Sequence, residues 1–225
     1  MNFYEQENNK TVLKTREIIR ELPEFCNEFF LDLNQNTLPK TRMGYAYDLR
    51  VFFNFLVTEN KEFLGRDIKS LTLDDLQKIK VVDINQFMDY LAYYVSDEDS
   101  QLYSNGENGK ARKLAAVRKL FKYFYRTEKI SSNPAELTIT PKRHEKEIVR
   151  LEPNEVAEML DVIENGSKMT SKQKEYYEKT KIRDLAIVTL LLGTGLRVSE
   201  CVGLDIDDVD FDVNGVRVLR KGSKE

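Results

Sequence analysis

The 225-residue sequence predicts a mainly α protein in two parts, with one small β-hairpin toward its C-terminal end. Three observations predict it. Apolar residues recur at three- and four-residue intervals through most of the first 130 positions, the spacing of a helix face. The run IRDLAIVTLLL (182–192) is apolar almost all round and stops at Gly193 and Gly195, the pattern of a buried helix ended by a left-handed glycine. Asn214-Gly215, a strong turn pair, precedes Val216, Arg217 and Val218, which alternate with the period of a strand.

Residues 1–20 are polar and charged and are expected to extend the N-terminus of a helical domain over 21–130. A first helix is expected over about residues 14–33, with Leu22, Phe25, Cys26, Phe29, Phe30 and Leu33 facing inward. Pro39 suits the next helix start, and Tyr45, Leu49, Phe52, Phe53 and Leu56 form one apolar face. Thr72, ahead of Asp74 and Asp75, has the chemistry of an N-cap. A further helix from near Asp83 turns Ile84, Phe87, Met88, Leu91 and Tyr94 inward. Residues 96–109 read as a polar, glycine-containing loop, followed by a basic helix from about Lys110 to Thr127.

Residues 131–150 mix charges without a clear period and contain Pro134 and Pro141, which predicts an interdomain linker. The second domain, 151–225, opens with Pro153 in the first turn of a helix. Residues 164–180 form a polar excursion before the apolar run. Ser199 and Glu200 open a short segment, and the hairpin's second strand is expected to reach Arg220.

Composition narrows the function classes. The chain is 41% hydrophobic and 32% charged, as expected of a soluble globular protein. No apolar run approaches the roughly 20 residues that cross a bilayer, so no membrane role is expected. The N-terminus lacks the apolar core of a secretion signal. Cys26 and Cys201 stand far apart, which suggests neither a disulfide framework nor a zinc site. A reducing cytoplasm, with no metal and no cofactor, is the expectation.

The net charge of −3 hides a local excess. Residues 110–129 hold eight Lys or Arg against one acid, Glu128, so that segment carries +7 and the remainder −10. On a helical wheel Ala111, Leu114, Val117, Phe121, Phe124 and Tyr125 fall in one arc. Arg112, Ala115, Lys119, Lys122 and Arg126 form a separate stripe spaced 3, 4, 3 and 4. A solvated face usually mixes Glu with Lys to gain i,i+4 pairs. A stripe of one sign forgoes those pairs and repels itself, which suits a row of phosphates. Both readings, solvated face and DNA contact, stay open on this helix alone. Arg118 lies at the edge of the apolar arc, where a buried carboxylate is the alternative partner.

Arg197 poses the same choice. It follows the glycine break directly, and either reaches solvent at a helix end or is held for a phosphate. The order of features decides between them. TGLRVSE, then LDIDDVDF and RVLRKGSKE, is close to the first catalytic block of the tyrosine site-specific recombinases, the phage integrase and Xer-like family. TRMGYAYDLRVFFNFL (41–56) and residues 112–142 are similar to that family's core-binding domain, and the resemblance covers about residues 20–225. It implies a helical core-binding (SAM-like) domain followed by the first part of an α+β catalytic domain.

By that resemblance Arg197 clamps the non-bridging oxygens of the scissile phosphodiester. A guanidinium suits the task, being a fixed bidentate fork that stays charged. Lys221 matches the family's hairpin lysine, a general acid for the leaving 5′-oxygen, with Lys224 its neighbouring rival. Glu200 is implied as a buried partner that orients Arg197. Thr41 and Arg42 join Arg112, Lys119, Lys122 and Arg126 as expected DNA contacts. The family's later groups, a His-x-x-Arg box and a nucleophilic tyrosine, have no match here. His144 begins HEKE, and the last tyrosines, Tyr176 and Tyr177, precede Arg197. The expectation is therefore a recombinase cut within the hairpin, which binds duplex DNA but lacks the nucleophile. The parent would break and rejoin DNA through a 3′-phosphotyrosine in a tetrameric synapse, in chromosome-dimer resolution (a chromosome-partition role) or mobile-element integration. The loop at 96–109 and the stretch at 164–180 resemble the single-recombinase Xer variant of Gram-positive bacteria. The alternative is a non-catalytic DNA-binding protein built from the same two modules.

Overall fold

The computed structural model describes residues 3–95, 101–142, 147, 149–167 and 169–218. The chain divides into two compact units, Met1–Glu145 and Lys146–Glu225. The described residues are mainly helical, as expected, with two small antiparallel strand pairs.

The first unit contains α1 (Phe3–Ile19), α2 (Cys26–Asn34), α3 (Pro39–Thr58), α4 (Leu73–Lys78), α5 (Val81–Tyr90), β1 (Tyr94–Val95), β2 (Leu102–Tyr103), α6 (Glu107–Arg126) and α7 (Pro134–Leu137). Helix α3 is central, with α1, α2, α5 and α6 packed on it. The core is built largely from phenylalanine: Phe29, Phe52, Phe53, Phe87, Phe121 and Phe124 are all buried. Phe52 meets Phe87 at 5.1 Å and Phe121 at 6.4 Å, both edge to face. Phe25 meets Phe53 and Phe124 the same way. Edge-to-face pairs add about 0.5–1.5 kcal/mol each beyond the area they bury, and these tie α3 to both α5 and α6.

Local chemistry sets the helix ends. Pro39 sits in the first turn of α3. Thr72 caps α4: its Oγ1 accepts from the Asp75 N–H at 3.3 Å, and the Asp75 carboxylate accepts from the Thr72 N–H at 3.0 Å. The single helix expected over 14–33 is two helices. Pro23 lies between them and cannot donate to a helical ladder, so α1 ends at Ile19 and α2 restarts at Cys26. Helix α1 occupies most of residues 1–20 and packs on α3. The loop expected over 96–109 is interrupted by β2, which pairs with β1 in the register Tyr94↔Tyr103 and Val95↔Leu102. Tyr94 stacks between Tyr90 at 5.0 Å and Tyr103 at 5.7 Å, an aromatic ladder that favours the pairing.

Residues 131–142 lie on the first unit. Asn133 caps α7 by accepting from the Glu136 N–H, and Pro134, Ala135 and Thr138 are buried. Arg118 donates to the carbonyls of Ala135 and Thr138 and to the Thr140 hydroxyl. Its partner is therefore not the carboxylate considered from sequence. The backbone that leaves α7 turns its oxygens toward Arg118 and satisfies it without an acid.

The second unit contains α8 (Pro153–Asn165), α9 (Ser171–Thr194), α10 (Val198–Val202) and the hairpin of β3 (Val209–Asp210) with β4 (Gly215–Val216). Helix α9 ends where the glycine signal lies. Gly195 takes φ +65°, and its N–H returns to the Leu191 carbonyl at 3.0 Å. Two expectations are corrected. The polar excursion is helical from Ser171, because the Thr170 hydroxyl caps the Gln173 N–H and starts α9 early. The apolar run is not enclosed either: among the described residues of this unit no apolar side chain is buried, and Ile182, Ile187 and Leu192 are exposed. Helices α8 and α10 pack on α9, but two short helices cover only part of its circumference.

The hairpin forms in the register Val209↔Val216 and Asp210↔Gly215. Gly215 thus belongs to the strand, and the loop is the four residues 211–214 with Asn214 at φ +51°. Asp210 Oδ1 accepts from the N–H groups of Asp212 and Val213, which favours this longer turn over a two-residue one. Beyond Val218 the expected strand lies outside the described residues. No described helix is long and apolar enough to cross a membrane.

Candidate nucleic-acid interface and phosphate-binding arginine

Helix α6 turns Ala111, Leu114, Val117, Phe121 and Phe124 into the core, as the wheel predicts. Tyr125, placed in the same arc, is exposed; Leu120 and Ala116 are buried and move the centre of the face away from it. Arg112, Lys119, Lys122 and Arg126 are all exposed along the other side. In sequence the stripe carries one sign only. In space, other helices bring an acid to each end. Arg112 Nη1 bonds Asp48 Oδ2 of α3 at 2.7 Å, and Arg126 Nη2 meets Asp32 Oδ1 of α2 at 3.4 Å. Lys119 and Lys122, between them, have no ion-pair partner among the described residues.

Asp48 is 1% exposed. Its Oδ1 has no hydrogen-bond partner among the described residues, with Lys113 Nζ 4.0 Å away. Lys113 is itself buried and donates to Asn105 Oδ1 at 2.8 Å. Burial pushes the Asp48 carboxyl up to about 6, against the pull of Arg112 and Lys113 toward the ionised form.

The start of α3 lies beside this surface. Thr41 is exposed, and Arg42 donates to the Thr37 carbonyl while burial lowers its pKa. Thr37 in turn lines a shallow cleft of about 160 Å³ with Asp32, Asn36, Lys119, Lys122 and Arg126. Thr37 is thus the common neighbour of Arg42 and the α6 cations. Sequence reasoning missed Asp32, Thr37 and Asp48. Only Asp48 left a signal: an acid on the apolar face formed by Tyr45, Leu49 and Phe52.

In the second unit, Arg197 follows the glycine stop and takes an extended conformation at the N-cap of α10, at φ −72° and ψ 148°. Glu200, three residues on, holds it twice. Glu200 Oε2 accepts from the Arg197 backbone N–H at 2.9 Å, and Oε1 accepts from Nη1 at 2.8 Å. Glu200 is 6% exposed, whereas the Arg197 side chain is 72% exposed. The guanidinium is therefore tethered along one edge and open along the others. A guanidinium so held can present parallel N–H groups to two oxygens of one phosphate. Lys221 lies outside the described residues. Among the described residues no cluster of His, Cys, Asp or Glu could hold a metal ion.

Residues 149–225 match the phage integrase family. The tyrosine recombinase XerC of Caldanaerobacter subterraneus subsp. tengcongensis is 33% identical over 211 residues, 91% of this chain and 53% of that protein. XerC of Pelobacter propionicus is 30% identical over 195 residues, 87% of this chain and 54% of that protein. XerS of Streptococcus uberis is 30% identical over 239 residues, 92% of this chain and 65% of that protein. The chain spans about half the length of the XerC relatives it matches. Residues 149–225 thus belong to the phage integrase family, and over about nine-tenths of its length the chain is similar to the tyrosine recombinases XerC and XerS.

Proposed function

We propose that this chain is the DNA-binding portion of a site-specific tyrosine recombinase. The first unit grips duplex DNA through the exposed side of α6 and the start of α3, with Arg112, Lys119, Lys122, Arg126, Thr41 and Arg42 on phosphates. The second unit presents Arg197 to the scissile phosphate. Glu200 orients it, and Lys221 protonates the leaving 5′-oxygen. The intact enzyme breaks and rejoins strands through a 3′-phosphotyrosine, in a synapse of four protomers in the cytoplasm. Its process is chromosome-dimer resolution or mobile-element integration.

The observation that carries this reading is the Arg197–Glu200 pair. An exposed arginine is ordinary. One whose backbone and side chain are both held by a buried carboxylate has lost much of its freedom before any ligand arrives, so a phosphate that binds it orders less. Binding of the chain to a duplex, followed by fluorescence anisotropy across salt, tests the reading. Arg197→Ala should lower the slope of log affinity against log salt by about one phosphate contact. Glu200→Gln should weaken binding less than Arg197→Ala. A wild-type chain that binds no duplex at low salt refutes the reading.

A further inference from the structure

We propose that Asp48 is a positioning residue of the DNA-facing surface, holding the Arg112 guanidinium where it meets a duplex phosphate. The inference rests on the reading of α6 as a phosphate-facing helix and adds to it a residue that never touches DNA.

The arrangement is a cradle on α3. Gly44 and Asp48, one helical turn apart, face α6 together. The guanidinium lies over Gly44, where an added Cβ would be 3.7 Å from Arg112 Nη1, and the same nitrogen bonds Asp48 at 2.7 Å. Alanine would fit at position 44; a longer side chain would take the space the guanidinium occupies. Glycine in a helix interior is unfavourable, and a buried carboxylate with an oxygen left unbonded is unfavourable too. Both sit at one point, beside apolar Leu49 and Phe52, where an aliphatic residue would pack more simply. What the carboxylate does that an aliphatic residue cannot is fix a cation that remains 55% exposed. Among the described residues Arg112 bonds only Asp48, through Nη1, so its remaining N–H donors are available to a phosphate. A long side chain fixed beforehand loses less rotamer freedom when its ligand binds. Arg126 makes the contrast, since its partner Asp32 is at 3.4 Å and itself over one-third exposed.

The charges that bear on Asp48 are those of Arg112 and Lys113, both from α6. Tyr90 of α5 and Tyr94 and Tyr103 of the β1–β2 pair line the same pocket, as do Tyr47 and Arg50 of α3; Arg50 pairs with Glu21 at 2.9 Å. Burial places the Asp48 carboxyl at about 6.

The test is a double-mutant cycle on duplex binding with the full chain. Arg112→Ala should lower the salt slope by about one. Asp48→Asn should lower it comparably, and the double variant should fall no further. The affinity ratio of wild type to Arg112→Ala should shrink as pH falls below about 6, because Asp48 protonates and lets Arg112 go. The same ratio measured in the Asp48→Asn background should not vary with pH. His144 is present in every variant and cancels from these ratios. Gly44→Leu crowds Arg112 while leaving the carboxylate in place; it should cost the same slope, and it keeps the test open if Asp48→Asn does not fold. An unchanged slope in Asp48→Asn or Gly44→Leu, or losses that add in the double variant, overturns the proposal. Failure of the wild type to bind duplex is a separate result, which overturns the DNA-binding reading and this inference with it.

Discussion

Replacing Lys119 and Lys122 together with alanine isolates the phosphate-facing role of α6 from its structural role. Both side chains are exposed and have no ion-pair partner among the described residues, while Arg112 and Arg126 also hold Asp48 and Asp32. Alanine is the best helix former, so the double substitution should leave thermal stability within about 0.5 kcal/mol of wild type. Each phosphate contact contributes about 0.9 to the slope of log affinity against log salt. Losing two should lower that slope by about 1.8. Between about 50 and 200 mM salt, the variant should then lose roughly twelvefold less affinity than wild type loses. Fluorescence anisotropy with a labelled duplex of arbitrary sequence measures both curves, and the loss should be alike for every sequence, because phosphates carry no sequence information. Alanine at Lys172 and Lys174, exposed on α9, is the control. An unchanged slope for the α6 variant, or an equal fall in the control, would refute the assignment.

Four further outcomes are expected. On a nicked duplex that traps covalent intermediates, the 225-residue chain should bind without forming an adduct, since none of its eleven tyrosines follows Arg197; an adduct would make an upstream tyrosine the nucleophile and sink the catalytic-block reading. Thr72→Ala should cost about 1 kcal/mol in urea denaturation through loss of the α4 cap. At that cap the Arg66 hydrogen bond holds the Asp75 carboxyl well below the usual carboxylate range, so its contribution is present above about pH 4 and is lost as pH falls toward its lower folded value; an Asp75→Asn chain with the wild-type acid profile would contradict this. Limited proteolysis should cut first between α7 and α8, where Val149 is 93% exposed. It should leave a stable N-terminal fragment and degrade the second unit faster, since that unit buries no described apolar side chain; duplex DNA should slow the first cut, and cleavage spread evenly over both units would count against the assignment.

Much of the fold was legible because its signals are local. Pro39, Thr72, Pro153 and Gly195 each act within one turn of themselves, through a missing donor, a hydroxyl acceptor or a positive φ, and each marks a helix end as expected. The apolar faces of α3 and α6 follow from a 3.6-residue period that any reader of the sequence can lay on a wheel. The exceptions are also local in part: Pro23 was present in the sequence and should have divided the first helix, and Thr170 should have started α9 early. The Arg197 block was legible by resemblance, and the i,i+3 spacing of Arg197 and Glu200 already allowed them to meet.

The helical framework and the candidate cations follow from residue order alone, because capping, periodicity and motif spacing act over a few residues. Tertiary structure alone decided which of those cations are engaged. Asp48 reaches Arg112 across 64 positions and Asp32 reaches Arg126 across 94, distances along the chain that no local pattern reports. It also decided that the apolar run of α9 is exposed among the described residues, since whether a face is buried depends on which elements pack against it. An ion pair needs its partners within about 4 Å, and only the packing of α2, α3 and α6 around their shared phenylalanines brings these carboxylates to that range.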